Sequence, residues 1–392
     1  MNGMTRHLAP AAIIAIVISG VTAVRADDDD SNRRRNAYDV TNLVTNFAKT
    51  AAVQDPVLQN AWGVAFTPAA SPFWIADNAT GCSTLYNGDG TKVARQVSIP
   101  LPGDVVPSTD CVAINPKTNS MPAAPTGIIW NPTTNPATAF LVPGTSIPAA
   151  FIFDTEDGTI SAWAGGLTPA NNAVLAVDNS KIPNAANGAV YKGLAVGVNV
   201  NGVFLFATNF RAGTIDVFAP NGSTGFKPAT TDGGFTDPKI PAGFAPFGIQ
   251  NINGDLFVTY AKQNAQKHDD VAGPGNGFVD VFDTDGHLLR RFASRGPLNS
   301  PWGIARASFA FGRFSGDILV GNFGNGRINV FDSRGRCIDE LDGPQGKALV
   351  IDGLWALTLG GGAKSSSDTL YFTAGPNGET DGLFGTITPV SD

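Results

Sequence analysis

LNSPWGIA (298–305) and GDILVGNFGNGRINVFDSRG (316–335) decide how this chain reads. Three short strand candidates lie there: Trp302 to Ala305, Asp317 to Asn322 and Arg327 to Phe331, with a fourth at Cys337 to Leu341. Asn-Ser-Pro, Ser-Gly, Gly-Asn-Gly and Asp-Ser-Arg-Gly separate them, so the pattern is an antiparallel meander and not a set of helices. One such meander cannot bury both of its faces, so copies must stand beside it.

The copies are present. The first-strand motif recurs at Asn60-Ala61-Trp62-Gly63, Pro125-Thr126-Gly127, Tyr191-Lys192-Gly193, Pro246-Phe247-Gly248, Pro301-Trp302-Gly303 and Gly353-Leu354-Trp355. Second strands follow in register: FWIADN (73–78), FIFDTE (151–156), FLFATN (204–209), LFVTYA (256–261), ILVGNF (318–323) and LYFTAG (370–375). Six units at spacings of roughly 50–65 residues predict an all-β, six-bladed β-propeller of four-stranded antiparallel blades. The last unit runs out of chain after three strands, while a spare strand, YDVTNLVTNF (38–47), precedes the first unit. Pairing the two closes the ring and removes exposed sheet edges.

Around this domain, 38–392, the chain divides simply. Residues 1–26 read as a signal peptide: Arg6 and His7, an apolar run from Leu8 to Val24, then Val24-Arg25-Ala26 for cleavage. Residues 27–37, beginning DDDDSNRRRN, read as a charged, disordered linker. Cleavage removes Arg6 and Arg25, leaving 24 basic against 33 acidic residues and a net charge of −9. That balance excludes nucleic acid and anionic lipid as favoured partners. No membrane span is expected after cleavage, and the protein is expected to be secreted or periplasmic, and a monomer. Of the three cysteines, Cys82 and Cys111 are placed to bridge blade one to the insertion after it, and Cys337 is expected to be a buried small hydrophobe.

Loops joining strands two and three, and those joining blades, share one propeller face. Most inserted sequence falls there: Ser98 to Pro125, Gly165 to Ala189, Ser223 to Gly243, Ala261 to Gly277 and Asp342 to Ile351. Binding is expected on that face. Its candidate ligand-binding residues are Asn60, Lys192, Ser300 and His268, the last inside the loop QNAQKHDD (263–270). Asp77, Asn78, Asp154, Asn209, Asn322 and Asp352 leave strands toward the same face and offer the hard oxygens that calcium takes. The competing account is that they cap turns through backbone amides. No G-x-S-x-G, HExxH, P-loop or EF-hand pattern occurs, and the tryptophans are explained as core anchors.

FAPFGIQ (244–250), LNSPWGIA (298–305), GDILVGNFGNGRIN (316–329), IDGLWAL (351–357), LYFTAGPN (370–377) and GLFGTI (382–387) resemble an uncharacterised family of secreted bacterial propellers. Some of its members carry a PEP-CTERM tail. No such tail follows Asp392, so tail-directed sorting is not expected. The resemblance implies export and a propeller, but no activity. The repeats are also similar to NHL-repeat propellers and to calcium lactonases of the gluconolactonase and paraoxonase type. Those lactonases hold calcium with a Glu, Asn and Asp set, which Asn78, Asn209, Asn322 and Asp352 match in part. A first-strand Glu is missing, and Glu156 is a loop candidate only. Two functions follow as expectations. One is a non-catalytic binding or scaffold protein for a small molecule, glycan or cell-envelope protein; the alternative is a calcium-dependent lactonase at the channel mouth.

Overall fold

The computed structural model describes residues 35–47, 50–68, 71–105, 111 and 122–390. The leader-like segment and most of the charged linker lie outside the described residues, as does most of the insertion after blade one. The described chain is a ring of six antiparallel sheets, a β-propeller. Blade one holds Ala61–Ala65, Phe73–Asp77, Cys82–Tyr86 and Lys92–Ser98, in that order from the axis outward. Blades two to five repeat the order from inner strands Pro125–Trp130, Tyr191–Asn199, Phe244–Ile252 and Pro301–Arg306. Blade six holds Leu354–Leu359, Leu370–Ala374 and Leu383–Pro389, and Tyr38–Thr45 completes it from the other end of the chain. Closure by the termini is therefore as expected, with Tyr38 opposite Pro389 and Thr45 opposite Leu383.

The first-strand motif has a geometric cause. In every blade the inner strand carries a bulge at that motif, between Ala61 and Val64 in blade one and between Tyr191 and Leu194 in blade three, with four equivalents. There the inner strands of neighbouring blades approach backbone to backbone. A carbon added at Gly63 would stand 2.5 Å from the Thr126 carbonyl, and one at Gly193 would stand 3.1 Å from that of Phe247. Glycine is what lets six strands crowd one axis. Blade six alone has a methyl at this place, in Ala356.

In three of the six blades a hydroxyl clamps the bulge from the adjacent strand. Thr208 Oγ1 donates to the Phe247 carbonyl at 2.8 Å, across to the next blade. Thr259 Oγ1 accepts from Gly248 N at 2.8 Å, and Thr373 Oγ1 accepts from Ala356 N at 3.0 Å while donating to the Trp62 carbonyl. Asp154 takes this position in blade two. Between blades the packing is aromatic. Trp74 stacks on Phe151 at 4.2 Å, Phe73 on Tyr371 at 4.5 Å, and Tyr38 on Phe311 at 4.9 Å.

Several expectations need adjustment. The Gly165 to Ala189 and Ser223 to Gly243 insertions each hold a blade's outer strand, Val174–Asp178 and Phe226–Ala229. Residues Asn36 and Ala37 are anchored, not free: Asn36 Nδ2 donates to the Glu340 carbonyl at 2.9 Å, and Ala37 is buried. The Cys82–Cys111 disulfide is formed, with Cα atoms 5.6 Å apart. Cys337 corrects the reading of a buried hydrophobe: it opens the outermost strand of blade five, Cys337–Glu340, and is exposed. An outermost strand has no neighbour beyond it, so its leading residue faces solvent. Among the described residues, no helix is long and apolar enough to cross a membrane.

Candidate functional site

Where the inner strands begin, the channel is filled by rings. Trp62 stacks on Trp355 at 3.6 Å, and Trp355 also meets Phe323 at 4.0 Å and Phe247 and Trp302 at 5.9 Å. All but Phe323, which follows the second strand of blade five, come from the first-strand motifs of blades one, four, five and six, so the tryptophans are core anchors, as expected. Lys192 stands in the same position of blade three. Its ammonium lies 5.2 Å from the centre of the Trp62 ring and 5.9 Å from that of Phe210, and its side chain is 3 % exposed.

Above this plug, at the loop-rich face, a continuous polar chain runs around the mouth. Trp355 Nε1 donates to Asn60 Oδ1 at 2.9 Å. Asn60 Nδ2 donates to Asn78 Oδ1 at 3.1 Å and to Glu379 Oε2 at 2.9 Å. Asn78 Nδ2 donates to Glu156 Oε2 at 2.9 Å, and Glu156 Oε1 accepts the Lys192 ammonium. Asp269 Oδ1 lies 3.5 Å from that ammonium and 2.7 Å from His268 Nδ1. Trp302 Nε1 donates to the Lys192 carbonyl at 2.8 Å. Each of the six blades supplies at least one member.

Strain gathers at the same place. Asn60, Ser300 and Glu379 are left-handed, with φ of 45°, 47° and 67°. Such residues persist only where their surroundings over-determine them. Asn60 and Ser300 hold equivalent posts, just before the inner strands of blades one and five. Glu379 is delivered by the tight turn Pro376–Glu379, where Asn377 and Gly378 are also left-handed.

The electrostatics follow from burial. Removal from water would lower the Lys192 pKa, but the carboxylates of Glu156, Asp269 and Glu379 outweigh it and the net shift is upward. Burial raises Glu379, which the Asn60 amide only partly offsets. Burial also raises Asp270, against the opposing pull of Ser300 and Lys192. Asp269 is held down at about 2, chiefly by its hydrogen bond to His268. The mouth thus carries more carboxylate than its single lysine balances, and ligand atoms of Glu156, His268 and Asp269 lie within 4.8 Å of one another.

Among the residues singled out from sequence, Asn60, Asn78, Lys192 and His268 meet in this chain. Ser300 is fully buried beside Asp270 at its edge. The other oxygens do not converge with them. Asp77 is fully buried near Thr84 and Asp55, and that burial drives its pKa well above the usual carboxylate range. Asp154 Oδ1 accepts from Thr126 Oγ1 at 2.9 Å and Gly127 N at 2.6 Å, inside the blade-two bulge. Asn209 accepts from Ala212 N at 3.2 Å, and Asn322 from Asn299 N at 3.1 Å, both holding turns. Asp352 Oδ2 accepts from Asn377 N at 2.8 Å and so supports the turn that carries Glu379. Register explains the dispersal: Asp77, Asn209 and Asn322 share one strand position, Asp154 sits one residue earlier, and Asn78 and Glu156 one residue later. Asp269 lies in the QNAQKHDD loop already singled out, whereas Glu379 was missed as a partner; the signal available was the Asn-Gly turn PNGE (376–379) in a loop of the same face.

No family profile matches the chain. It is 32% identical over 357 residues to the uncharacterized protein R648 of Acanthamoeba polyphaga mimivirus, covering 91% of this chain and 81% of that one. The uncharacterized protein L690 of the same virus is 31% identical over 353 residues, covering 89% and 85%. These relatives are viral, so the expectation of a family of secreted bacterial proteins has no support from them. Similar solved structures include a gluconolactonase from Xanthomonas campestris, with 15% identity, coverage of 84% and 86% and a TM-score of 0.46. A luciferin-regenerating enzyme is 12% identical, with coverage of 91% and 96% and a TM-score of 0.48. At these values neither likeness informs the chemistry of the mouth.

Proposed function

The chain belongs to the family of the mimivirus proteins R648 and L690, and within it we propose an exported, non-catalytic binding propeller whose loop-rich mouth holds a donor-rich small ligand. The observation that carries this reading is the hydrogen-bonded chain from Trp355 through Asn60, Asn78, Glu156 and Lys192 to Asp269, drawn from loops and strand ends of different blades. Its exposed part is acceptor-rich: Asp269 is 60 % exposed, and Glu379 and Asp270 are half-buried around it. Acceptors in surplus favour hydroxyl and ammonium groups, as a glycan unit bearing an amino group presents. Export is supported by the leader-like residues 1–26 and by a disulfide that suits an oxidising compartment.

The test is a thermal-shift series with glucosamine, glucose and glucuronate against the mature chain and its Glu379→Gln and Asp269→Asn variants. The reading expects stabilisation in the order amino, neutral, acidic sugar, weakened in both variants. A series led by the acidic sugar would sink it. The second reading, a calcium-dependent lactonase, has one observation in its favour, the grouping of Glu156, His268 and Asp269. Stabilisation by calcium that chelator reverses, with hydrolysis of a lactone panel, would promote it.

A further inference from the structure

Resemblance to calcium lactonases implies a divalent ion at the channel mouth, and the residues here do not fit one. The carboxylates of Glu156 and Asp269 converge, with Glu379 near enough to act on the same charge, yet the point between them is taken by the Lys192 ammonium. Glu156 Oε1 is in direct contact with it and Asp269 Oδ1 lies 3.5 Å away. A calcium ion takes carboxylate oxygens at about 2.3–2.6 Å. One ligated by both carboxylates would sit against a buried ammonium that is itself pressed on the Trp62 and Phe210 rings. The amides are turned the wrong way as well. Asn78 offers its Nδ2 donor to Glu156 while its oxygen is taken by Asn60, and the Asn60 oxygen is taken by Trp355.

We infer that Lys192 is the resident cation of this mouth: its ammonium lies against the carboxylates that a divalent ion would need, and the wild-type site is complete without metal. The inference deepens the binding reading but does not depend on any ligand. Removing the ammonium leaves Glu156, Asp269, Glu379 and Asp270 close together with no lysine among them, and only the His268 imidazole, 2.7 Å from Asp269, to offset them. Like-charged carboxylates in a half-buried mouth should then recruit a divalent ion from solution.

The experiment compares melting temperatures of the full mature chain in calcium and in chelator, for wild type, Lys192→Met, Lys192→Gln and Lys192→Arg. Wild type and Lys192→Arg should melt at the same temperature in both media. Lys192→Met and Lys192→Gln should melt lower than wild type in chelator and recover in calcium, or fold only when calcium is present. Terbium emission sensitised by the nearby tryptophans should appear in those two variants and not in wild type. Calcium stabilisation of wild type would overturn the inference. So would two neutral variants that stay folded but ignore calcium, or that calcium fails to rescue. Sugar binding by wild type is read separately, so the ligand reading and this one can fail independently.

Discussion

Glu156 Oε1 accepts the ammonium of Lys192 across the gap between blades two and three, and both are shielded, with side chains 15 % and 3 % exposed. A buried pair of this kind is costly to assemble, and breaking it by removing one partner costs about 3–5 kcal/mol. Its presence at the mouth of a ring, where an aliphatic pair would pack more cheaply, marks the loop-rich end as the place where the fold departs from its own repeats. In the first-strand position four blades spend an aromatic ring, and blade three spends a charge.

The bulge glycines should rank by the space beside them. Gly63→Ala drives a carbon against the Thr126 carbonyl and should cost about 2 kcal/mol or more. Gly193→Ala, with 3.1 Å to the Phe247 carbonyl, should cost clearly less. Denaturant midpoints of the two variants check this, and a reversed ranking would contradict the backbone-approach account of the motif.

Closure of the ring by the terminal strand makes Tyr38 expensive to lose. It is fully buried, stacks on Phe311, and donates its hydroxyl to the Phe311 carbonyl at 3.1 Å. Tyr38→Ala should destabilise by about 3–4 kcal/mol, and deletion through Phe47 should lower the melting temperature further. Unchanged stability after that deletion would show that blade six does not need the strand.

Much of this was legible from sequence because each repeat writes its strands in the same order with turn residues between them. The spare strand at Tyr38 was readable for the same reason, and the pairing of Cys82 with Cys111 from their places on and beside blade one. The mouth was harder, since neighbouring residues of one strand leave on different faces. Asp77 is buried within blade one near Thr84, while Asn78, one residue on, reaches Glu156. Choosing between them needs the register around the bulge, which a list of polar residues at strand ends does not contain. Glu379 was hidden differently, because a left-handed turn in blade six brings it to Asn60, 319 residues away in the chain.

The disulfide closes a separation of 29 residues. On a chain-entropy estimate its reduction should lower stability by roughly 3–4 kcal/mol. Melting with and without reductant, alongside Cys82→Ser, gives the value. Equal melting temperatures would mean that the insertion is held in place without the bond.

Asp154 should give the protein a pH-dependent stability. Burial raises its pKa from 3.8 to about 7 against hydrogen bonds from Thr126 and Gly127. A proton on it also resolves a conflict at Thr126, whose single hydroxyl proton faces both Asp154 Oδ1 at 2.9 Å and the Tyr191 carbonyl at 3.0 Å. Between those two pKa values the folded state holds a proton that the unfolded state has lost. Stability therefore falls as pH rises through that window, by about 1.4 kcal/mol per unit, and is flat above it. Asp77 and Asp280 shift in the same direction, so the readout is the difference between wild type and Asp154→Asn. The variant should lose stability less steeply from acid to neutral pH; parallel curves would contradict the assignment.

The central claim is that a charged lysine sits among the carboxylates of the mouth, and titrating that lysine tests it most directly. In protein labelled with carbon-13 and nitrogen-15 at lysine, the Lys192 side-chain resonance, assigned by its loss in Lys192→Arg, can be followed with pH. Because Glu156, Asp269 and Glu379 outweigh its burial, Lys192 should remain an ammonium at a pH where exposed lysines have begun to lose their protons. A Lys192 that titrates below the ordinary lysine value would mean that burial wins, that the amine is neutral in the folded protein, and that the mouth is not organised around a resident positive charge.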